Sequence, residues 1–511
     1  MEFSIIDYIV IVVYLVGVAA VGIWISGRQK STSDYFLGSR DIPWWAVLFS
    51  VVATETSTLT FISIPAVSYG GNLTFLQITF GYIVGRILVS IYFLPKYYEG
   101  ELSTAYQFLG DRFGQSMRNV TSTTFMVTRL LADGVRLFAT AIPLAVILRM
   151  GGAFVGWTDF DVYLISIAVI STITIFYTLI GGIKAVIWMD VIQMGVYVGG
   201  AILAGIILVN SISGGFGAAM DLASSADKLQ VLDFGFDMPF SEFIAEPYTF
   251  FTALIGGAVF SVASHGTDQL IVQRLLTTRN IQDSKKALIW SGVVVALQFA
   301  LFLIVGLLLY SFYNAQPAEA LGLATDDEIF AKFIVEGLPV GLSGFIIAAL
   351  FAAAMSSLSS SLNSLASATT LDLYKPYWGK NNTKAQDLKI SRIFTFIWAI
   401  IITASAFFFA YLQLQQGEQP AVVEVGLSIA SYTYGGLLGA FLLGRLFSEP
   451  DKTDALIGFF AGLVSLLFMV KGPLQDLLPG SGLAIAWPLY TLVGSIIVLI
   501  VGNVCAKLRR S

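Results

Sequence analysis

The feature that most constrains the fold of this chain is a succession of long apolar runs along nearly its whole length. About thirteen of these runs reach roughly 18 residues or more, the length that a helix needs to cross the hydrocarbon core of a bilayer. Only 12% of the residues are charged, against roughly 25% in a soluble domain. The pattern predicts an all-α polytopic membrane protein with a single transmembrane domain over residues 1–511. The predicted spans are 5–27, 44–69, 73–95, 121–148, 159–181, 185–211, 248–275, 286–313, 341–371, 391–412, 421–447, 453–470 and 484–506.

Composition argues against several classes of function. The net charge of −5 argues against a nucleic-acid partner. The chain has one cysteine, Cys505, and one histidine, His265, so it cannot form an intramolecular disulfide and is poorly suited to a His/Cys metal site. No Gly-rich phosphate motif, nucleophile elbow or metalloprotease motif stands out. We therefore expect neither an enzyme nor an organic cofactor.

The basic residues are distributed unevenly over the loops. If the N-terminus lies outside, the large majority of the 28 Lys and Arg residues fall in inside loops, and Arg274 at the end of the seventh span is counted among them. The positive-inside rule then predicts an outside N-terminus and an inside C-terminus, in a cytoplasmic membrane of bacterial type. Glu2 and Asp7 precede the first apolar run, the reverse of a signal-peptide n-region, so no cleavable signal peptide is expected.

Two spans are interrupted by polar residues near their middle. The second span reads SVVATETSTLT from Ser50, and the seventh reads SVASHGTDQ from Ser261. Because they lie five spans apart, they cross in opposite directions, and interrupted helices at matching places in two inverted halves point to a transporter's central site. Two independently kinked helices are the alternative. The repeat reading divides the chain into an extra N-terminal helix at 5–27, a first repeat at 44–211, a second repeat at 248–447 and two extra C-terminal helices at 453–506.

The ninth span carries an unusual concentration of hydroxyls in FAAAMSSLSSSLNS, which begins at Phe351. Helical spacing places several of its small and hydroxyl residues on one face, which is typical either of close helix packing or of an ion site. Na⁺ prefers oxygen ligands, and a broken helix frees backbone carbonyls that can supply them. The predicted set of five oxygens comes from the carbonyls of Ala53, Thr56 and Ala353 and the hydroxyls of Ser356 and Ser357.

Asp190 lies a turn or two inside the sixth span, and an intramembrane carboxylate is a functional candidate by default. It could form a second ion site with Ser356, Ser359 and Ser360. The alternative is that Asp190 caps a helix or pairs with Lys184.

Further intramembrane charges have two readings. Arg129, Asp133 and Arg136 share one helix face, where Asp133 can neutralise either arginine and leave the other for an anionic group. Arg86 in the third span is a further candidate for that group. The alternative is a purely structural ion network with Glu55 and Asp133 as the acidic partners. His265 lies in the interrupted part of the seventh span, where it is either a structural residue or a substrate-lining one.

Several motifs resemble the sodium/solute symporter family, which transports sugars, iodide, monocarboxylates, proline and sialic acids together with sodium. They are IPWWAV at 42–47, SVVATETST in the second span, GGIKAVIWMDVIQ at 181–193, TDQLIVQR at 267–274 and FAAAMSSLSSSLNS at 351–364. The resemblance covers residues 5–450. It implies the five-plus-five inverted repeat of the leucine-transporter class, with Na⁺ as the coupling ion.

The resemblance also implies roles for individual residues. It places the family sodium site on Ala53, Thr56, Ala353, Ser356 and Ser357, and a second site found in some members on Asp190, Ser356, Ser359 and Ser360. The implied substrate contacts are Ser57, Thr60, Thr79, Arg136, Ser261 and His265, and we add Glu55 to them. Ser57, Thr60, Phe61 and Arg136 match the sialic-acid members, whereas Glu55 and Thr79 depart from them, and Leu59 and Thr60 do not match the sugar transporters.

These features predict a sodium-driven symporter that takes up a small polar organic solute by alternating access. We favour a carboxylate such as a sialic acid or a monocarboxylate, because of Arg136, and we keep a sugar or polyol as the alternative. A passive facilitator or channel is an alternative of another class, which the paired interrupted helices disfavour.

Overall fold

The computed structural model describes residues 3–27, 29–416, 422–469 and 484–510, and its regular structure there is helical. The starting residue of the predicted span 421–447 and the final residue of 453–470 lie outside the described residues. The helices are α1 (Ile5–Ile25), α2 (Thr32–Leu37), α3 (Trp44–Glu55), α4 (Thr58–Gly70), α5 (Gln77–Tyr92), α6 (Leu94–Glu99), α7 (Ala105–Phe113), α8 (Gln115–Met150), α9 (Asp159–Ser211), α10 (Gly215–Ser225), α11 (Phe240–Phe243), α12 (Phe250–Gly266), α13 (Gln269–Leu275), α14 (Ile281–Phe312), α15 (Asp327–Glu336), α16 (Leu342–Ala368), α17 (Lys375–Tyr377), α18 (Lys384–Gln416), α19 (Val422–Leu446), α20 (Lys452–Met469) and α21 (Tyr490–Arg510). Short 3₁₀ turns occupy Gly38–Arg40, Thr74–Leu76, Ala318–Leu321 and Trp487–Leu489, and a π-helical turn occupies Thr369–Tyr374.

Within the described residues, nine helices are long and apolar enough to cross a membrane, or up to eleven if each of two bent pairs is one span. One of the nine, α9, has 53 residues. A straight helix of that length would measure about 80 Å, more than twice the roughly 30 Å hydrocarbon core. Gly182 interrupts it at φ 56° and ψ −157°, so α9 consists of two arms, each long enough for one crossing.

The two bent pairs are the two interrupted spans. α3 and α4 meet at 68°, and α12 and α13 meet at 66°. At the first break, Ser57 and Thr60 form a reciprocal capping box, in which each side chain bonds the other residue's backbone N–H. At the second break, Asp268 accepts a hydrogen bond from the amide of Leu270 and so starts α13. Side-chain caps therefore satisfy backbone groups that an interrupted helix leaves without partners inside a membrane.

The serine-rich helix α16 lies at the centre of the fold. Its most apolar stretch is 83% buried, the highest share among the candidate spans, and it packs against both α9 and α8. By contrast, α1 is largely exposed, with Ile5 and Trp24 78% and 84% accessible. Such apolar exposure on a long helix is what contact with lipid requires. The hydroxyls of α16 thus face protein, and the outer helices present apolar side chains to the bilayer.

Close packing holds the second broken helix against α5. A Cβ atom added to Gly81 would lie 2.7 Å from the backbone nitrogen of Ala258, which leaves room only for glycine. This approach places α12 directly beside α5 and fixes the second helix break relative to the first repeat. The residue boundaries of the two repeats, 44–211 and 248–447, stay predictions.

Candidate transport site

A cavity of about 670 Å³ lies between the two helix breaks. Residues on both sides of the first break line it, as do His265 at the end of α12 and two arginines of α8. The cavity extends to Asp326 and Glu328. Both residues belong to the loop between the predicted spans 286–313 and 341–371, which is predicted to lie on the outer side of the membrane. A largely apolar cavity that carries a few polar groups and reaches both breaks is the arrangement expected of a transporter's central site.

Charged residues from both breaks meet at this cavity. Glu55 is the last residue of α3, and its carboxylate lies 2.6 Å from Nη2 of the fully buried Arg86. His265 in the last turn of α12 places its Nε2 2.6 Å from Glu55 Oε1. Arg86 also donates to the hydroxyl of Ser291 at 2.5 Å. Arg86 balances the charge of Glu55, and His265 is hydrogen-bonded to the same carboxylate, so the acidic residue at the first break is not a free anion.

Two of the three charges that share a face of α8, Arg129 and Asp133, have partners in the protein. Arg129 bonds both the carboxylate of Asp268 and the hydroxyl of Tyr434. Asp133 accepts a hydrogen bond of 2.6 Å from Ser361 and lies 3.6 Å from Arg129. The sequence left open which arginine Asp133 neutralises, and the structure places it beside Arg129.

Arg136 is different, because it lines the cavity and its guanidinium forms no ion pair or hydrogen bond with the residues that the structure describes. The N-terminus of α4 faces the same space, since Ser57 and Thr60 both line the cavity. A helix N-terminus carries a partial positive charge and unpaired N–H groups that favour anions. The cavity therefore combines the positive end of a helix with a guanidinium that has no partner in the described part of the chain.

Two predicted substrate contacts lie away from the cavity surface. The hydroxyl of Thr79 donates to the carbonyl of Leu76 at 2.7 Å, and that of Ser261 donates to the carbonyl of Tyr82 at 3.1 Å. Neither residue is part of the cavity lining, whereas Glu55, Ser57, Thr60, Arg136 and His265 all are. Both residues are buried where α5 and α12 pack together. Their hydroxyls are hydrogen-bonded to backbone carbonyls and do not face the cavity.

The predicted first sodium site lies where α3 ends against α16. The amide of Thr56 bonds the carbonyl of Val52, but the amide of Ser57 turns to the side chain of Thr60, which frees the carbonyl of Ala53. The hydroxyl of Thr58 donates to the carbonyl of Leu350 at 2.9 Å, one turn before Ala353 in α16. The break and the serine face are therefore neighbours.

Ser357 stands out among the serines of this face. Its Oγ is buried and has no hydrogen-bond partner among the described residues. A buried hydroxyl without a partner costs about 1–3 kcal/mol, so a ligand that uses this oxygen recovers that cost. Ser357 is one of the five residues of the predicted first sodium site, which stays a prediction.

The predicted second sodium site contains a cation supplied by the protein. Asp190 accepts hydrogen bonds from Ser50 at 2.5 Å and from Ser356 at 2.7 Å, and Arg274 lies 3.4 Å away. Arg274 also donates to the hydroxyls of Ser50 and Ser360, and it is fully buried. The alternative pairing of Asp190 with Lys184 is wrong, because the carboxylate is buried among these donors and Lys184 is exposed.

Arg274 is the residue of this candidate site that the loop count misplaced. It was counted with the inside loops, whereas it belongs to α13, the second half of the broken span, where all residues from Gln269 to Leu275 are buried. The motif TDQLIVQR could have placed Arg274 correctly, because a seven-residue helix that follows a break can still lie within the membrane.

Ser359, another residue of the predicted second sodium site, donates its hydroxyl hydrogen bond to the backbone carbonyl of Ser356 at 3.0 Å.

Comparison with known proteins decides the family. The family model described as "Sodium:solute symporter family" matches residues 35–462. The chain belongs to the sodium:solute symporter family. The family resemblance predicted from the motifs is thereby confirmed, and the protein is a sodium-coupled symporter rather than an enzyme.

Similar proteins include two bacterial transporters and a solved structure. The chain is 30% identical to the sodium/sialic acid symporter NanT of Aliivibrio fischeri, over 100% of this chain and 94% of that protein. It is also 30% identical to the sodium/sialic acid symporter SiaT of Proteus mirabilis, over 99% and 96% of the two chains. The solved structure is the substrate-bound outward-open state of a Na⁺-coupled sialic acid symporter, with a TM-score of 0.83, 29% identity and coverage of 99% and 98%.

These likenesses confirm the fold class, an all-α multi-pass integral membrane protein with the five-plus-five inverted repeat of the leucine-transporter class. They also confirm Na⁺ as the coupling ion and a small molecule as the substrate of this symporter.

Proposed function

We propose that this symporter takes up a small polar solute that bears a carboxylate, and that the solute binds in the cavity between the two helix breaks. The observation that carries the proposal is Arg136, a cavity-lining arginine whose guanidinium has no partner among the described residues. A guanidinium binds a carboxylate through two parallel hydrogen bonds, which makes it the residue suited to this group. The names of the relatives agree, because a sialic acid bears a carboxylate.

The remaining lining supports a polar solute with hydroxyl groups next to the carboxylate. Ser57 and Thr60 lie at the N-terminus of α4, and Glu55, whose charge Arg86 balances, is hydrogen-bonded to His265. Neutral and paired groups of this kind exchange hydrogen bonds with hydroxyls without adding net charge. A neutral sugar or polyol is the second candidate on this ground, and it would leave Arg136 unused.

The first sodium ion is assigned to the carbonyls of Ala53, Thr56 and Ala353 and the hydroxyls of Ser356 and Ser357. The unpartnered Oγ of Ser357 supports this assignment, as does the freed carbonyl of Ala53. An oxygen set without formal charge suits a monovalent ion that has to bind and then leave within one transport cycle.

A second sodium ion at Asp190, Ser356, Ser359 and Ser360 would compete with Arg274. This buried guanidinium reaches both the carboxylate of Asp190 and the hydroxyl of Ser360. Two cations cannot share one carboxylate at close range without repulsion, so Arg274 has to withdraw when the second ion binds. Conversely, Arg274 neutralises Asp190 when the ion has left, which avoids an unpaired buried carboxylate.

The orientation of the protein follows from the loops. We place the N-terminus outside and the C-terminus inside, in a cytoplasmic membrane, because most Lys and Arg residues then face inward. The cavity reaches Asp326 and Glu328 in the segment predicted to be outside, so it opens outward in this arrangement.

The test is uptake by purified protein in proteoliposomes with an inward Na⁺ gradient, an inward K⁺ gradient or no gradient. We expect accumulation with Na⁺ only, and competition by sialic acids or small monocarboxylates. Competition by neutral polyols while carboxylates have no effect would reject the carboxylate assignment and leave sodium symport intact. Equal rates with Na⁺ and K⁺ would indicate a passive facilitator.

A further inference from the structure

A second cavity, of about 490 Å³, lies away from the transport site where three helix ends come together. Gln29 and Lys30, which follow α1, form one wall, and Leu179 in the first arm of α9 forms another. The first turns of α18 complete it. Since α1 ends at Ile25 and the first arm of α9 ends at Gly182, this cavity lies where the spans leave the hydrocarbon core.

The cavity is cationic. Lys30, Lys389 and Arg392 line it, and the described residues that line it include no acidic side chain. Arg392 donates to Gln29 Oε1 at 2.9 Å, and its Nε is buried without a partner among the described residues. We call this cavity, with its three cations, the cationic groove.

Two carboxylates close to the groove residues along the chain, Asp34 and Asp387, have partners other than the side chains of the three cations. Asp34 accepts hydrogen bonds from the amide of Lys30 at 2.9 Å and from the hydroxyl of Ser39 at 2.7 Å. Asp387 pairs with Lys375 at 2.8 Å. The side chains of the groove therefore retain their positive charge for a group that comes from outside the protein.

Apolar side chains continue from the groove into the membrane-spanning part of its walls. On α18, Ile393, Phe396 and Ile400 follow a spacing of three and four residues, so they share one face, and all three are exposed. On the first arm of α9, Phe176 and Ile180 are also exposed. A ligand of this surface thus has an anionic end at the membrane boundary and an apolar part directed into the bilayer.

We propose that the cationic groove binds one anionic phospholipid, with its headgroup phosphate at Lys30, Lys389 and Arg392 and its acyl chains along the exposed face of α18 and α9. Basic pockets between membrane helices bind anionic headgroups in this way. A zwitterionic headgroup would bring its own ammonium group among three cations, and free phosphate would leave the apolar faces unused. The bound lipid would join the extra helix α1 to α18. This inference does not depend on the identity of the solute.

The test measures lipid binding to the purified full chain by native mass spectrometry, in detergent that contains equal amounts of phosphatidylglycerol and phosphatidylcholine. We expect phosphatidylglycerol to be retained in preference. The combined variant Lys30→Gln, Lys389→Gln and Arg392→Gln should weaken its binding about tenfold or more. The pair Lys30→Gln and Lys389→Gln changes exposed residues only, so it serves as a second variant should the triple one fold poorly, and it should show a partial loss.

The matched control combines Lys286→Gln, Lys380→Gln and Lys507→Gln, three exposed lysines outside the groove on the same predicted side of the membrane. This control variant removes three positive charges, as the triple groove variant does, and it should retain phosphatidylglycerol. An equal loss in the control and the groove variants would overturn the proposal in favour of diffuse surface attraction. Equal retention of both lipids by the wild type, or full displacement of phosphatidylglycerol by inorganic phosphate, would also overturn it.

Discussion

At the scale of single residues, the guanidinium of Arg136 is set apart by the absence of a protein partner among the described residues. Arg129, two helical turns earlier, is held by Asp268 and Tyr434. Helical spacing gave both arginines equal claim to the substrate, and the tertiary contacts leave Arg136 as the available cation. Three predictions concern single side chains, namely Arg136, Ser357 and Arg274.

The first prediction is that Arg136→Lys raises the apparent KM for the solute about tenfold or more. Lysine keeps the charge but cannot reproduce two parallel hydrogen bonds to a carboxylate, each worth on the order of 1–3 kcal/mol. Uptake kinetics in proteoliposomes provide the measurement. Arg149→Lys is the matched control, because it lies on the same helix at a surface ion pair with Asp159 and should leave KM unchanged. A lower thermal stability with an unchanged KM would instead assign Arg136 a structural role.

The second prediction is that Ser357→Ala raises the half-saturating Na⁺ concentration by roughly tenfold. The substitution removes one of five proposed oxygen ligands, at a cost of about 1–3 kcal/mol. Ser364→Ala on the same helix is the control, since its buried hydroxyl donates to the carbonyl of Ser361 and is not a proposed ligand. If both variants keep the wild-type Na⁺ dependence, the hydroxyl of Ser357 contributes to packing alone.

The third prediction separates net uptake from exchange. Arg274→Gln leaves Asp190 without its protein cation in the ion-free transporter, so the return of the empty carrier should slow about tenfold or more. Exchange of labelled for unlabelled solute, with Na⁺ on both sides, bypasses that step and should fall much less. Arg274→Lys keeps the charge and should restore part of net uptake. Equal losses of net uptake and exchange would show that Arg274 only supports the fold.

At the scale of secondary-structure elements, breaks in the helices decide the architecture. The breaks after Glu55 and Gly266 create the cavity, and Gly182 divides α9 into two arms. The predicted spans 159–181 and 185–211 leave a gap of three residues at the position where the structure places Gly182. A single residue with a positive φ is enough to end one arm and begin the next.

We predict that Gly182→Ala lowers the stability of the purified transporter by about 2 kcal/mol or more. Its φ of 56° is strained for a residue with a Cβ, and that atom would lie 2.5 Å from the backbone oxygen of Tyr35. The temperature of thermal unfolding in detergent measures the effect. Gly195→Ala, in the second arm of α9, has nothing within 4 Å of the added atom and should leave stability unchanged or raise it slightly. A similar response of both variants would mean that the turn at Gly182 tolerates a side chain.

At the scale of the whole molecule, the protein converts ion binding into accumulation of solute. Each Na⁺ driven by about 100 mV supplies roughly 2.3 kcal/mol, which corresponds to about a 50-fold concentration ratio, and two ions would square that ratio. The number of coupled ions therefore sets how far the solute can be concentrated. That number depends on whether Asp190 binds a second Na⁺ or stays paired with Arg274.

We predict that Asp190→Asn lowers the Na⁺ Hill coefficient of uptake from near two towards one. The amide preserves the shape of the side chain but removes the charge that a second ion needs. Because the first site uses other oxygens, transport should continue with weaker accumulation. The measurement is the Na⁺ dependence of initial uptake rates in proteoliposomes. A coefficient near one in both proteins would show that a single ion is coupled and that Asp190 serves as the permanent partner of Arg274.

The sequence by itself determined the features that depend on local chemistry. Membrane spans require runs of apolar residues, and a helix break requires polar residues that can cap its free ends, so TETST and SHGTD marked both breaks. The serine face of α16 and the carboxylate of Asp190 were visible for the same reason, because polar groups inside an apolar run are costly and therefore conspicuous. The family itself was predicted from the resemblance of the motifs, and the comparisons confirmed it.

Only the tertiary structure decided which charge meets which. Asp190 pairs with Arg274, 84 positions away along the chain, rather than with nearby Lys184. Asp133 lies beside Arg129 and leaves Arg136 open to the cavity, and the hydroxyls of Thr79 and Ser261 are bonded to backbone carbonyls outside it. The physical reason is that helical spacing fixes the face on which a side chain lies. Its partner depends on how separate helices pack, and inside a membrane each buried charge has to find one.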